Sequence, residues 1–208
     1  IKTGNTGIYK TLQKQGLENF SRCFSDSKGY TWFNTYGPDG TILARLEKKT
    51  GNFELISRNT APYHLPLTYV SYMTEDADGT VWMGDYGLTR FNYCKNRFDT
   101  FINVFAGDRK FEDNIMGLSA DKSGNIWFST LQNGLLRFNI RKNNYKHYTT
   151  ADGLSSNLIN DLSPVYDNHL FIATRNKLNK LDLANNHIKV YAQADGLPES
   201  SITTGICF

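Results

Sequence analysis

What this chain of 208 residues lacks narrows its functions first. It has no apolar run of the roughly 18 residues that a membrane-crossing helix needs. No window of about 12 residues holds a helical hydrophobic period. Without a helix there is no Gly-rich loop opening one, the element that would cradle a phosphate. The three cysteines, Cys23, Cys94 and Cys207, show no Cys-x-x-Cys or metal-type spacing. Their odd number neither supports nor excludes an oxidising compartment. Cys23 and Cys207 fall at similar places in the repeat described below, which predicts that both are buried and unpaired. The four histidines, His64, His147, His169 and His187, form no i,i+4 pair and have no neighbouring carboxylate. Neither a metal site nor a nucleophile–base pair can be built from them, so the expectation is no catalytic residue, no metal and no cofactor. A net charge of +3, from 23 basic and 20 acidic residues well mixed, leaves no footprint for nucleic acid or an anionic membrane. The sequence also lacks a signal-peptide pattern and an initial Met.

What is present is a pattern that occurs three times: Asp26-Ser-Lys-Gly29-Tyr-Thr-Trp32, Asp76-Ala-Asp-Gly79-Thr-Val-Trp82 and Asp121-Lys-Ser-Gly124-Asn-Ile-Trp127. The tryptophans stand 50 and 45 residues apart. After Trp82 comes Gly87-Leu88-Thr-Arg90-Phe91-Asn92, and after Trp127 comes Gly134-Leu135-Leu-Arg137-Phe138-Asn139. The first unit follows more loosely, with Arg45-Leu46-Glu47 and an expanded loop at Tyr36-Gly-Pro-Asp-Gly40. A fourth unit has lost the signature but kept its spacing: Phe171-Ile-Ala-Thr174 stands 44 residues after Trp127-Phe-Ser-Thr130, and Lys180 replaces Arg137.

Each unit reads as four short strands. In the third they are Ile115–Ala120, Asn125–Thr130, Leu135–Ile140 and Tyr145–Thr149, separated by Gly, Asn and Asp clusters. In the Asp-x-x-Gly turns, Asp bonds its own backbone and Gly takes positive φ. Four antiparallel strands per ~45 residues make one blade of a β-propeller. A β-sandwich also has short, closely spaced strands, but it has no need of the same tryptophan in successive units. The prediction is therefore an all-β propeller of about four four-stranded blades, part of a larger ring. The blades fall at roughly 17–64, 65–111, 112–154 and 155–197, with partial blades at 1–16 and 198–208. Asp152-Gly153-Leu154 and Asp195-Gly196-Leu197 mark the same blade-to-blade junction. Both ends fall inside the repeat, which predicts a piece of a longer polypeptide, with the end blades open to self-association.

These motifs closely resemble the two-component regulator propeller repeat, from about Ile8 to the end of the chain. The resemblance implies the periplasmic sensor region of a bacterial hybrid two-component histidine kinase, anchored in the inner membrane. It implies seven-bladed rings, a kinase elsewhere in the parent chain and oligosaccharides as ligands, with no catalysis by the propeller itself.

The recurring residues read as scaffold. Asp26, Asp76 and Asp121 stand too nearly alone for calcium, which needs six or more converging oxygens. Trp32, Trp82 and Trp127 hold a fixed place that suits packing between blades better than a sugar platform. Arg45, Arg90 and Arg137 suit a blade-level salt bridge better than a ligand clamp. Binding residues are expected where the units differ, on the face that carries the loops between second and third strands and the blade junctions. Those loops hold Tyr36, Asp39, Asp85, Tyr86, Gln132, Asn133, Arg175 and Asn176, and the junctions hold Glu112, Asp113, Asn114 and Asn157. Aromatic and amide side chains suit sugar rings and hydroxyls, and equally suit ordinary exposed turns. The leading reading is a non-enzymatic ligand sensor. A propeller lyase or glycoside hydrolase, with a site assembled from several blades, and an extracellular interaction scaffold are the alternatives.

Overall fold

The chain is a β-propeller. The computed structural model describes residue 20 and residues 22–37, 40–67, 69–85, 87–101 and 114–197. The partial blades expected at 1–16 and 198–208, and Cys207 with them, lie outside the described residues. Four antiparallel sheets follow one another along the chain, each with its strands in sequence order. The first blade is β1 Arg22–Ser25, β2 Tyr30–Gly37, β3 Gly40–Glu47 and β4 Phe53–Ile56. The second is β5 Tyr72–Glu75, β6 Val81–Gly84, β7 Leu88–Asn92 and β8 Arg97–Thr100. The third is β9 Ile115–Ala120, β10 Asn125–Thr130, β11 Leu135–Asn139 and β12 Asn144–Tyr148. The fourth is β13 Ile159–Leu162, β14 His169–Thr174, β15 Leu178–Asp182 and β16 Ile188–Tyr191. The first strands of neighbouring blades, β1, β5, β9 and β13, lie against one another around the axis, and the fourth strands form the rim.

The motif spacing is explained by one carboxylate doing two jobs. Asp121 Oδ1 accepts the backbone N–H groups of Ser123 (2.8 Å) and Asn125 (3.0 Å), closing the turn, and its Oδ2 accepts the indole N–H of Trp127 at 2.8 Å. Asp76 repeats this with Trp82, and Asp26 with Trp32, both at 2.7 Å. Gly29, Gly79 and Gly124 take φ of 92°, 74° and 79°, a region that costs a residue with a Cβ about 1 kcal/mol or more. Each indole is thereby aimed into the next blade. Trp32 packs against Val81, Met83 and Phe91, Trp82 against Ile126, Phe128 and Phe138, and Trp127 against Ile159, Leu170 and Ile172. The three rings are 0–1% exposed.

The recurring cation covers the same ring from the neighbouring strand. Trp32 pairs with Arg45, Trp82 with Arg90 and Trp127 with Arg137, and each guanidinium lies 5.4–5.7 Å from the ring centre. Lys180 stands over Phe171 at 5.9 Å in the same register, so the fourth blade keeps the geometry with weaker partners. Arg45 and Arg90 also form ion pairs with Glu54 (2.6 Å) and Asp99 (3.2 Å) on the fourth strands.

Two expectations are corrected. Cys23 is exposed. It pairs with Phe33, so both lie on the flank of the first blade turned away from the second, where Phe33 is only half-buried. The extra residues of the first unit lengthen its hairpin rather than loosen it. β2 and β3 run eight residues each and stay in register from Tyr30↔Glu47 to Gly37↔Gly40.

Candidate functional site

In an antiparallel blade the start of the first strand and the end of the second lie at the same edge. Blade junctions and second-to-third-strand loops therefore share one face. On that face the loops are closed by the last residue of the second strand. Thr130 N–H donates to Gly134 O at 3.0 Å, and its hydroxyl accepts Asn133 N–H at 2.8 Å. Thr174 repeats the backbone bond to Lys177 O at 3.0 Å. Asp85 takes the same place in the second blade and keeps the closure, donating its N–H to Gly87 O at 3.2 Å. Its carboxylate instead accepts the Ser71 hydroxyl at 2.8 Å, from the junction leading into its own blade. Its carbonyl accepts Ile115 N–H at 2.8 Å, which ties the second blade to the third.

Around Asp85 an open cleft of about 350 Å³ lies over the first strands. It is lined by Arg22, Asn34, Tyr36, Ser71, Tyr72 and Asn114, among others. Arg22 stacks on the Tyr72 ring at 5.1 Å. Burial raises the Tyr72 pKa, and the Asp161 and Asp85 carboxylates add to that rise while Arg22 opposes it. The phenol is therefore a persistent hydrogen-bond donor and no base. Asn34 is buried and donates its amide N–H to Val70 O at 2.5 Å, which fixes the junction strand beside it. At the rim, the Tyr36 and Tyr69 rings sit 5.8 Å apart and tilted by 56°. Such a wall offers donors, acceptors and aromatic faces together, which suits a small polyhydroxylated ligand.

Of the loop residues chosen from the sequence, Tyr36, Asp85 and Asn114 come together at this cleft. Gln132, Asn133, Arg175 and Asn176 are exposed on loops of the third and fourth blades. The Asn133 carbonyl accepts from His147 Nε2, which pins that loop to β12. Asn157 supports the junction: its side-chain oxygen accepts Thr150 N–H at 2.9 Å and its carbonyl accepts Gly134 N–H at 3.0 Å. Asp39, Tyr86, Glu112 and Asp113 lie outside the described residues. Sequence reasoning missed Arg22, Tyr69, Ser71 and Tyr72. Their one signal was position, at or just before the start of a first strand, where the units share no residue type.

Residues 64–87 match the model of the two component regulator propeller family, and the stretch includes the second Asp-x-x-Gly-x-x-Trp. No curated protein matches the chain. Among solved structures, the extracellular domain of what is described as the hybrid two component system BT4673 of B. thetaiotaomicron superposes with a TM-score of 0.64 at 22% identity, covering 82% of this chain. That of BT3049, from the same organism, gives 0.60 at 16% identity over 83%. The chain spans 24% of the length of each of those two domains. A gluconolactonase from Xanthomonas campestris gives 0.62 at 11% identity, over 90% of this chain and 65% of its own. These likenesses establish the propeller fold, and residues 64–87 carry the two component regulator propeller repeat.

Proposed function

We propose that this chain is a ligand-sensing module, without enzymatic activity of its own, in the periplasmic part of a two-component sensor histidine kinase, and that it responds to oligosaccharides. The observation that carries the reading is the cleft at Asp85, built on a propeller whose repeat is that of two component regulators. Its wall joins three blades, so a ligand seated there bears on the blades' mutual placement, the kind of differential contact a sensor needs. The extracellular domains of the B. thetaiotaomicron systems supply the architectural precedent. Further blades of the same polypeptide are its nearest partners. The flank of the first blade carries Phe20, Phe33, Ile42, Phe53 and Leu55, all half-buried, as the face for such a neighbour to cover.

The test is a panel of oligosaccharides screened by thermal shift, with product analysis of each incubation. A saturable rise in melting temperature with the sugar recovered intact is the expected result. Release of shortened or unsaturated products, lost on substitution of a cleft residue, would convert the reading to a propeller enzyme. The gluconolactonase shows that an enzyme can be built on this architecture.

A further inference from the structure

We infer that Tyr36 and Tyr69 form a sugar-stacking platform at the rim of the cleft, and that the saccharide it takes is neutral. This rests on the oligosaccharide reading above and adds to it a site and a charge class. The two rings are 41% and 43% exposed and lie against each other across two chain segments. They come from different blades' territory: Tyr36 rides the lengthened β2–β3 hairpin, and Tyr69 lies on the junction leading to β5. The Asn34 bond to Val70 O holds the junction residue next to Tyr69 in place, so the pair is anchored from below. With the rings tilted by 56°, their outer faces stay open to solvent instead of covering each other. A pyranose presents one face of C–H groups and an edge of hydroxyls. Laid on these rings, it would turn its edge toward Arg22, Ser71 and Tyr72 on the cleft wall.

The charge class follows from what surrounds the wall. The charged side chains that line it are Arg22 and Asp85, one of each sign, and the Asp85 carboxylate is already held by the Ser71 hydroxyl at 2.8 Å. One guanidinium against one carboxylate leaves the lining without net charge. A uronate or sulfate would need an excess of cations there, whereas a neutral sugar takes the same donors and acceptors without one.

The experiment uses the purified protein and a panel of neutral gluco-, galacto-, manno- and xylo-oligosaccharides beside oligogalacturonates, with calorimetry on the best binder. Tyr36→Ala and Tyr69→Ala should each weaken binding by about tenfold, and Tyr36→Phe and Tyr69→Phe should stay within about threefold of the parent. Because both rings are exposed, the Ala variants should melt within a degree or two of the parent, which separates a lost platform from a lost fold. Binding that survives both Ala substitutions overturns the platform and leaves the sensor reading standing. Binding confined to oligogalacturonates overturns the charge class. If no member of the panel binds the parent, the oligosaccharide reading falls and the platform falls with it.

Discussion

The third and fourth blades share a strand order and a register, yet they are held by different chemistry. In the third, Asp121 closes the turn and fastens the Trp127 indole, and the ring is sealed inside the next blade. In the fourth, Asp and Trp are both gone. Phe171 stands in the Trp127 register and remains half-buried, and its turn is a hairpin closed by the Tyr166↔His169 bridge. Asp167 and Asn168 take φ of 45° and 60° there, the two-residue turn that favours Asn and Asp. The two losses belong together. A phenyl ring has no N–H to fasten, so a buried carboxylate beside it would lose the donor that justifies its burial. The Asp and the Trp are one interaction, kept or lost as a pair. Where they are lost, the closed hairpin turns its side chains outward: Tyr166 is 76% exposed beside a cleft of about 520 Å³ that it shares with the Asp121 turn.

The comparison breaks first at the rings. Trp127→Ala should destabilise by about 3–5 kcal/mol, the range for emptying a large buried aromatic site, and Phe171→Ala by less than half of that. Equal losses in chemical denaturation would show that the fourth blade is as tightly seated as the third.

A double-mutant cycle sharpens it next. Asp121→Ala and Trp127→Phe should couple by about 1 kcal/mol, since Asp121→Ala leaves the indole N–H buried without its acceptor, whereas in Trp127→Phe the Asn125 amide still donates to Oδ2 at 2.7 Å. Phe171→Trp, placed in a blade without the carboxylate, should gain no comparable stability. Additive effects at Asp121 and Trp127 would mean that turn and ring are independent features that merely travel together.

The turns differ by a smaller amount. Gly124→Ala should lose about 1 kcal/mol because its φ of 79° is strained for any residue with a Cβ. Asn168→Gly should be neutral within about 0.5 kcal/mol, since the hairpin already tolerates Asn at positive φ. Thermal unfolding of the two variants side by side checks this, and a neutral Gly124→Ala would show that the turn relaxes.

The smallest effect lies on the fourth strands. Position 99 of the second blade is Asp, whereas the third and fourth blades place Lys146 and Lys189 beside their third-strand cations. Burial alone would raise the Asp99 pKa. Hydrogen bonds from Asn92 and Arg90, and the charges of Arg90 and Arg97, outweigh it and hold the carboxyl below the usual 3.8. A depressed carboxyl stabilises the folded state above its unfolded pKa and loses that contribution as pH falls through the folded value. Asp99→Asn should therefore cost at most about 1 kcal/mol at pH 7, and the gap from the parent should close below about pH 4. A gap that persists at pH 2 would assign the loss to packing instead of charge.

Much of the scaffold was legible in the sequence because a propeller repeats its local rules. Strand positions, the glycine turns and the interblade place of Trp32, Trp82 and Trp127 all follow from spacing within one unit. The Asp–indole bond was not read, although its six-residue interval stood in every intact unit; a turn alone explained the Asp, and nothing local shows where an indole N–H points. Cys23 was misread because burial there depends on the flank a blade turns to its neighbour, which the repeat alone does not supply. The same limit governs the site. Sequence by itself placed its candidate residues on the loop face, with Tyr36, Asp85 and Asn114 among them. Only the tertiary structure set Arg22 on Tyr72 and Tyr36 against Tyr69, since these residues stand tens of positions apart and meet because first strands converge on the axis. Periodicity encodes the blade, a local object; the cleft arises from how blades are arranged around a centre, which no single unit contains.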